Sequence, residues 1–338
     1  MDTTDTLLQP LDPDAPCGPN LEYDAAFLAL ETLASPRAER VVGDSVKQAE
    51  SPEWRDVARQ AEDVATRTRD LRVAIHLATA RLHTGGFPAW AEGIALVRGL
   101  LERYWDEVHP APEDGDTTER VNALAALSSP DAMLGQLRVA HLVRAERLGG
   151  FSLRDLRVLA GSVKPTDGAV AVTQEHVDSV MQQVDVDTLV QFHDAIATGL
   201  DHTRAIAHLF DERTPGSGPE LDALVRDLRD LQAFVQPYVS ARAPDAIAAR
   251  DADASTDAEA TPVSPREARG PIQGAADVVR MLDEICAWYA IHEPSSPIPP
   301  LLQRARSLVG LGFADLLKAI APGGLAEFQV LSGDGRDA

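Results

Sequence analysis

His292, Glu293, Ser295 and Ser296 fall together near the end of this 338-residue chain, in the run His292-Glu293-Pro294-Ser295-Ser296-Pro297-Ile298-Pro299-Pro300. An imidazole, a carboxylate and two hydroxyls are the parts of a nucleophilic hydrolase site. Such a site needs its members to converge from different elements, with the base in hydrogen-bond reach of the nucleophile. Here they are strung along one proline-rich turn between two helical stretches. The spacing instead makes Ser296 the cap of a helix that starts with Pro297, and Pro294 the lock on the turn. Glu293 either joins the same turn or pairs with Arg304.

The other reactive side chains are scattered. Cys17 lies between Pro16 and Gly18 with no histidine near it in sequence, and is read as a structural thiol. Cys286 is far away, so the two cysteines form neither a disulfide framework nor a metal knuckle. His76 and His83 can share a helical face but have no carboxylate at ligand spacing. His202 and His208, six apart, do not share one. His-Glu-x-x-His, Cys-x-x-Cys, a Gly-x-Ser-x-Gly elbow, a phosphate-binding loop with its Lys and a dinucleotide fingerprint are all missing. The sequence therefore predicts no catalytic residue, no cofactor and no metal. A hydrolase built on His292 or Cys17 is the alternative to be tested.

The elements around these residues read as helices. Asn20 is placed as the cap of a first helix carrying Tyr23, Phe27 and Leu30. Residues 35–52 read as a loop, and Pro52 opens a second helix striped by Trp54, Val57, Ala61 and Val64. Asp70 caps a third, apolar almost all round from Leu71 to Leu82 and stopped by Gly85-Gly86. A fourth follows Pro88 and ends at Tyr104. Shorter helices are expected at 118–127 and at 131–137, the latter capped by Asp131. Residues 151–156 fit a short helix or a strand, and Ala169–Val172 a short strand.

Between 186 and 238 lies the cleanest pattern. Leu189, Phe192, Ile196, Leu200, Ile206 and Phe210 are followed, past Pro215-Gly216-Ser217-Gly218-Pro219, by Leu221, Leu224, Leu228, Leu231, Val235 and Tyr238. Two long helices joined by a short loop make an antiparallel αα-hairpin. Arg226-Asp227 and Arg229-Asp230 are assigned to the solvent face of its second helix. The expected fold is all-α, with an N-terminal helical domain over 1–160 and a middle region with the hairpin over 161–240. Residues 241–271 have almost nothing large and apolar and read as a flexible linker. Residues 272–338 read as a small helical C-terminal domain. At about 60 residues a lone core is marginal, which predicts self-association.

Composition narrows the function classes. The chain is 44% hydrophobic and 25% charged, with a formal net charge of −22. That acidity excludes a phosphate backbone as partner, and no basic stripe offsets it. No apolar run approaches the ~18 residues needed to span a bilayer, and the start Met-Asp-Thr-Thr-Asp does not resemble a signal peptide. A cytoplasmic protein without membrane insertion is expected.

Several long runs carry a family resemblance. They are Leu-Asp-Pro-Asp-Ala-Pro-Cys-Gly-Pro-Asn-Leu-Glu-Tyr-Asp at 11–24, Trp54-Arg55-Asp56, Asp70-Leu71-Arg72-Val73-Ala74, the run from Gly93 to Pro110, and Arg120-Val121-Asn122-Ala123-Leu124. Together they resemble the ImpA N-terminal domain that marks the TssA family of bacterial type VI secretion systems. The ending His-Glu-Pro-Ser-Ser-Pro-Ile-Pro-Pro-Leu-Leu-Gln-Arg-Ala is similar to that of the short class, though Pro299-Pro300 is richer in proline than usual. The resemblance implies a non-enzymatic cytoplasmic assembly factor. It would form a homo-oligomeric ring through 272–331 and dock baseplate, membrane-complex, tail-tube and sheath proteins. On that reading Leu301, Leu302 and Arg304 form the assembly interface, and Pro294, Ser296 and Pro297 its structural turn and cap. A helical adaptor that forms no ring is the second alternative.

Overall fold

The computed structural model describes residues 3–35, 40–42, 45–47, 51–165, 172–244, 275–292 and 298–309. The chain divides into two compact units, Met1–Ala258 and Glu259–Ala338. In chain order the elements of the first are α1 (Thr3–Leu7), α2 (Ala25–Ala34), β1 (Arg40–Val42), β2 (Ser45–Lys47), α3 (Trp54–Ala65) and α4 (Leu71–Arg103). They continue with α5 (Thr118–Ala125), α6 (Met133–Val139), β3 (His141–Ala145), β4 (Gly149–Ser152), α7 (Leu153–Leu159), α8 (Gln174–Gln183), α9 (Val186–Arg213) and α10 (Asp222–Arg242). The second holds α11 (Ala275–His292) and α12 (Ile298–Leu308).

Helix α4 is the axis of the first unit. Asp70 caps it, accepting from the Arg72 amide at 2.8 Å. It bends at Gly86, whose φ of 72° and ψ of −163° are open to glycine but strained for other residues. Pro88 then opens the second half, where a missing N–H costs nothing. Trp90, Ile94, Val97 and Leu101 are completely buried. The halves of α4 pack closely because Gly93 lies against Ala78: a Cβ on Gly93 would come within 2.5 Å of the Ala78 Cβ.

The αα-hairpin forms as expected, and its first helix packs along α4. Gly199 admits the Trp90 ring, against which any Cβ would collide. Phe192 meets Phe87 edge-on at 5.0 Å, and Phe210 meets Trp105 at 5.0 Å. The stretches expected as N-terminal domain (1–160) and middle region (161–240) thus share one core within Met1–Ala258. Of the expected linker 241–271, residues from 245 onward lie outside the described ones.

The expectation of an all-α chain needs correction. The fold is mostly helical but has two small antiparallel hairpins, β1 with β2 and β3 with β4. The first falls in the stretch read as a loop. The second resolves the ambiguity at 151–156: the chain is strand through Ser152 and helix from Leu153. Ser152 makes the switch through a capping box, accepting from the Asp155 amide while its own amide donates to Asp155. Strands of three to five residues are too short for an alternation to register. Residues 169–171 of the other expected strand lie outside the described ones.

Two caps also differ. Asp24, not Asn20, caps α2, accepting from the Ala26 amide at 2.8 Å, while Asn20 accepts from Glu22. Tyr23, expected on the buried face, is 88% exposed because the helix starts after it. Asp131 does not cap α6, whose N-cap is Ala132.

Candidate functional site

Several of the residues carrying the family resemblance, Cys17, Pro19, Tyr104 and Arg120 among them, meet at the corner where α3 meets α4, and they do so through the main chain. The Thr68 hydroxyl donates to the Pro19 carbonyl at 2.8 Å, and the Arg69 amide donates to the Cys17 carbonyl at 2.7 Å. The Arg69 guanidinium reaches the Gln9 and Ala65 carbonyls, while the Tyr104 hydroxyl donates to the Leu8 carbonyl. Opposite them, Arg120 grips the turn after α4. Its guanidinium donates to the carbonyls of Trp105 at 2.6 Å, Val108 at 2.7 Å and Pro110 at 3.1 Å, and lies over the Trp105 ring at 4.9 Å. Arg120 is 1% exposed, and burial pulls its pKa down to about 10, so it stays charged at neutral pH. This is a clamp on backbone, with no open nucleophile.

Cys17 sits inside the clamp. It is 2% exposed, and burial, reinforced by the Glu107 charge, pushes the thiol up to about 11. A thiolate is the reactive form, so this environment suppresses nucleophilic chemistry at Cys17. Three histidines of this unit make structural contacts. His76 pairs with Glu31 at 3.0 Å, and this hydrogen bond holds the Glu31 carboxyl below its ordinary value. His83 stacks on Trp54 with ring centroids 4.2 Å apart and bonds Gln136, and burial lowers its pKa. His202 faces Arg98 at 3.2 Å, and burial together with that charge lowers its pKa too. Among the described residues no group of His, Cys, Asp or Glu side chains is placed to hold a metal.

A second buried node was read wrongly from sequence. Asp227 was assigned to the solvent face of α10, yet it is 1% exposed. It lies at the (i, i+3) and (i, i+4) spacing between Leu224, Leu228 and Leu231, and that periodicity was the available signal. Arg157 donates to its Oδ1 at 2.5 Å, and Arg138 to its Oδ2 at 2.6 Å. The node ties α6 and α7 to α10. Asp230 does lie on the outer face, and pairs with Arg157 at 3.0 Å.

The second unit has a different character. Helices α11 and α12 pack on each other, with an Arg306–Asp283 ion pair at 2.7 Å and the Cys286 thiol 3.9 Å from the Pro299 carbonyl. Among its residues whose side chains are described none is buried. Met281 and Ile285, one turn apart on α11, are each 42% exposed, and on α12 Ile298 is 37% and Leu301 64% exposed. Leu302 is half-buried and Arg304 exposed. The turn carrying Pro294, Ser296 and Pro297 lies outside the described residues, as do the side chains of His292 and Glu293.

The family profile described as "ImpA, N-terminal, type VI secretion system" matches residues 8–129. Over 337 residues the chain is 36% identical to the type VI secretion system component TssA1 of Pseudomonas aeruginosa, covering 97% of each. The chain belongs to the TssA family. Its fold also resembles a solved structure from Burkholderia cenocepacia, the N-terminal domain including the conserved ImpA_N region of the TssA component. That match has a TM-score of 0.58 at 22% identity and covers 72% of this chain and 96% of the other. For this TssA-family chain, the clamp gives Cys17, Pro19, Tyr104 and Arg120 of the resembling runs a part in fixing a corner of the fold. No helix among the described residues is long and apolar enough to cross a membrane.

Proposed function

We propose that this TssA-family chain is a non-enzymatic, cytoplasmic scaffold and assembly factor of the secretion system. Copies join through residues 272–338 into a ring, and the assembled chains dock baseplate, membrane-complex, tail-tube and sheath proteins. The observation that supports this is the uncovered apolar surface of α11 and α12, from Met281 and Ile285 across to Ile298 and Leu301. No residue of α11 or α12 whose side chain is described is buried. Burying such surface against a neighbouring copy is worth roughly 25 cal/mol per Å². Leu301, Leu302 and Arg304 belong to that contact, and the turn at Pro294, Ser296 and Pro297 sets the angle at which neighbours meet. Head-to-tail contacts close into rings when the rotation fits. A ring holding many arms raises their effective concentration at one apparatus without any stronger single contact.

Light scattering on the full-length chain tests the reading. The parent chain is expected to run as a closed oligomer, and Leu301→Asp as a monomer with unchanged helical content. A parent that stays monomeric at high concentration makes the protein an adaptor without a ring. An oligomer indifferent to Leu301→Asp places the contact elsewhere.

A further inference from the structure

The sulfur atoms of this chain divide sharply by exposure. There are four methionines. Met133 and Met181 are 1% and 0% exposed, and the Met133 sulfur accepts the Trp90 indole N–H at 3.4 Å. Met1 lies outside the described residues. Met281, on α11, is 42% exposed. Of the two thiols, Cys17 is sealed in the clamp, and Cys286 is half-buried beside the Pro299 carbonyl of α12.

Met281 stands one turn before the equally exposed Ile285, on the apolar surface assigned above to the contact between copies. A thioether suits such a contact, because it is apolar, flexible and fills irregular gaps. It is also the one side chain among Met281, Ile285, Ile298 and Leu301 whose polarity a mild oxidant can change. A thiol reacts as its thiolate, whereas a thioether has no proton to lose and needs only access. Burial denies that access at Met133 and Met181, and exposure grants it at Met281.

The chemistry is a two-electron oxygen transfer. The sulfur lone pair attacks one oxygen of hydrogen peroxide and the O–O bond breaks. An S–O bond forms, and the second oxygen leaves as water with both peroxide protons. Sulfur is oxidised and the peroxide reduced. The product is a polar sulfoxide, which sulfoxide reductases return to the thioether. Burying a polar group against an apolar neighbour without a hydrogen bond is unfavourable, so the modified surface resists being covered.

We propose that Met281 is a reversible modification site, whose oxidation to the sulfoxide by a peroxide holds the free chain out of the oligomer. This rests on the self-association proposed above and adds its regulation. The assembled contact covers Met281, so the oxidant acts on unassembled chains and assembly protects what has already formed.

Light scattering and peptide mass mapping on the full-length chain test it. The chain is diluted, exposed to hydrogen peroxide, quenched, treated with dithiothreitol to return oxidised thiols, and concentrated again. Met281 is expected to gain an oxygen before Met133 and Met181. The modified chain is expected to need roughly tenfold more protein to assemble, the scale of one polar group buried without a partner. Sulfoxide reductases should restore assembly. Met281→Leu, which keeps the volume, should assemble as well after peroxide as before it. An untreated parent that never assembles overturns the self-association reading, and the modification site with it. Where the parent does assemble, three results overturn the modification site alone: Met281 oxidised no faster than Met133 and Met181, a modified chain that assembles like the untreated one, or Met281→Leu impaired by peroxide as much as the parent.

Discussion

Replacing Asp227 by Ala tests whether the buried node holds the hairpin to the rest of the first unit. The carboxylate is 2% exposed and meets two guanidiniums at 2.5 and 2.6 Å, whose own side chains keep 21% and 30% of their exposure. Breaking a buried pair by removing one partner costs about 3–5 kcal/mol, because the remaining charge is stranded. Here both cations keep some water and Arg157 keeps Asp230 at 3.0 Å, so the lower end, about 3 kcal/mol, is expected. The second unit is excluded from the signal by working in a Trp288→Phe background, which leaves Trp54, Trp90 and Trp105, all in the first unit, as fluorophores. Urea titration should then show a lower midpoint at unchanged slope. Adding Arg157→Met to Asp227→Ala should restore about 1–2 kcal/mol, since it removes one stranded cation. A loss under about 1 kcal/mol, the scale of a surface pair, would refute the claim that the node is buried and structural.

Four further outcomes are expected. In a Cys286→Ser background, Cys17 should react with a thiol reagent at pH 8 about a hundredfold more slowly than in urea, because its thiolate fraction is suppressed by its raised pKa. The same shift has a sign for stability. The folded thiol holds its proton above the value of the unfolded one, so this contribution is complete below pH 9.0 and fades as pH rises towards about 11, a decline that Cys17→Ser should remove. Gly199→Leu should cost about 3 kcal/mol by driving a side chain into the fully buried Trp90 ring, measured by thermal melting of the first unit. On the proposed function, Met281→Asp should dissociate the oligomer as Leu301→Asp does, read by light scattering.

How much could be read from sequence depended on the range over which a signal repeats. The apolar stripes of α3, α4, α9 and α10 run over three turns or more, and Val57, Ala61, Leu189, Phe192, Leu224 and Leu231 are all buried as the periodicity requires. Asp70 was legible because a single acidic residue stands before an unbroken apolar run. Asn20 and Asp24 compete for the same role, and only the backbone at Ala26 decides between them. The hairpins of β1–β2 and β3–β4 are too short to show a period. Asp227 was misplaced because a charge is assumed to seek water, although its spacing put it on the core face. Arg120 gave no warning at all: its partners are three carbonyls, and carbonyls are present at every residue.

The grip of Arg120 has a consequence for how freely this region can vary. It reads the positions of oxygen atoms on the main chain at Trp105, Val108 and Pro110, and no side chain at Asp106 or Glu107 enters its hydrogen bonds. Substitution at 106 and 107 should therefore be broadly tolerated, while Arg120 itself should admit no replacement: lysine offers one ammonium where three fixed directions are needed. A saturation library over 105–120 would show tolerance at 106 and 107 beside intolerance at Arg120 and at the buried Trp105 and Val108, a pattern set by which positions the loop turns inward.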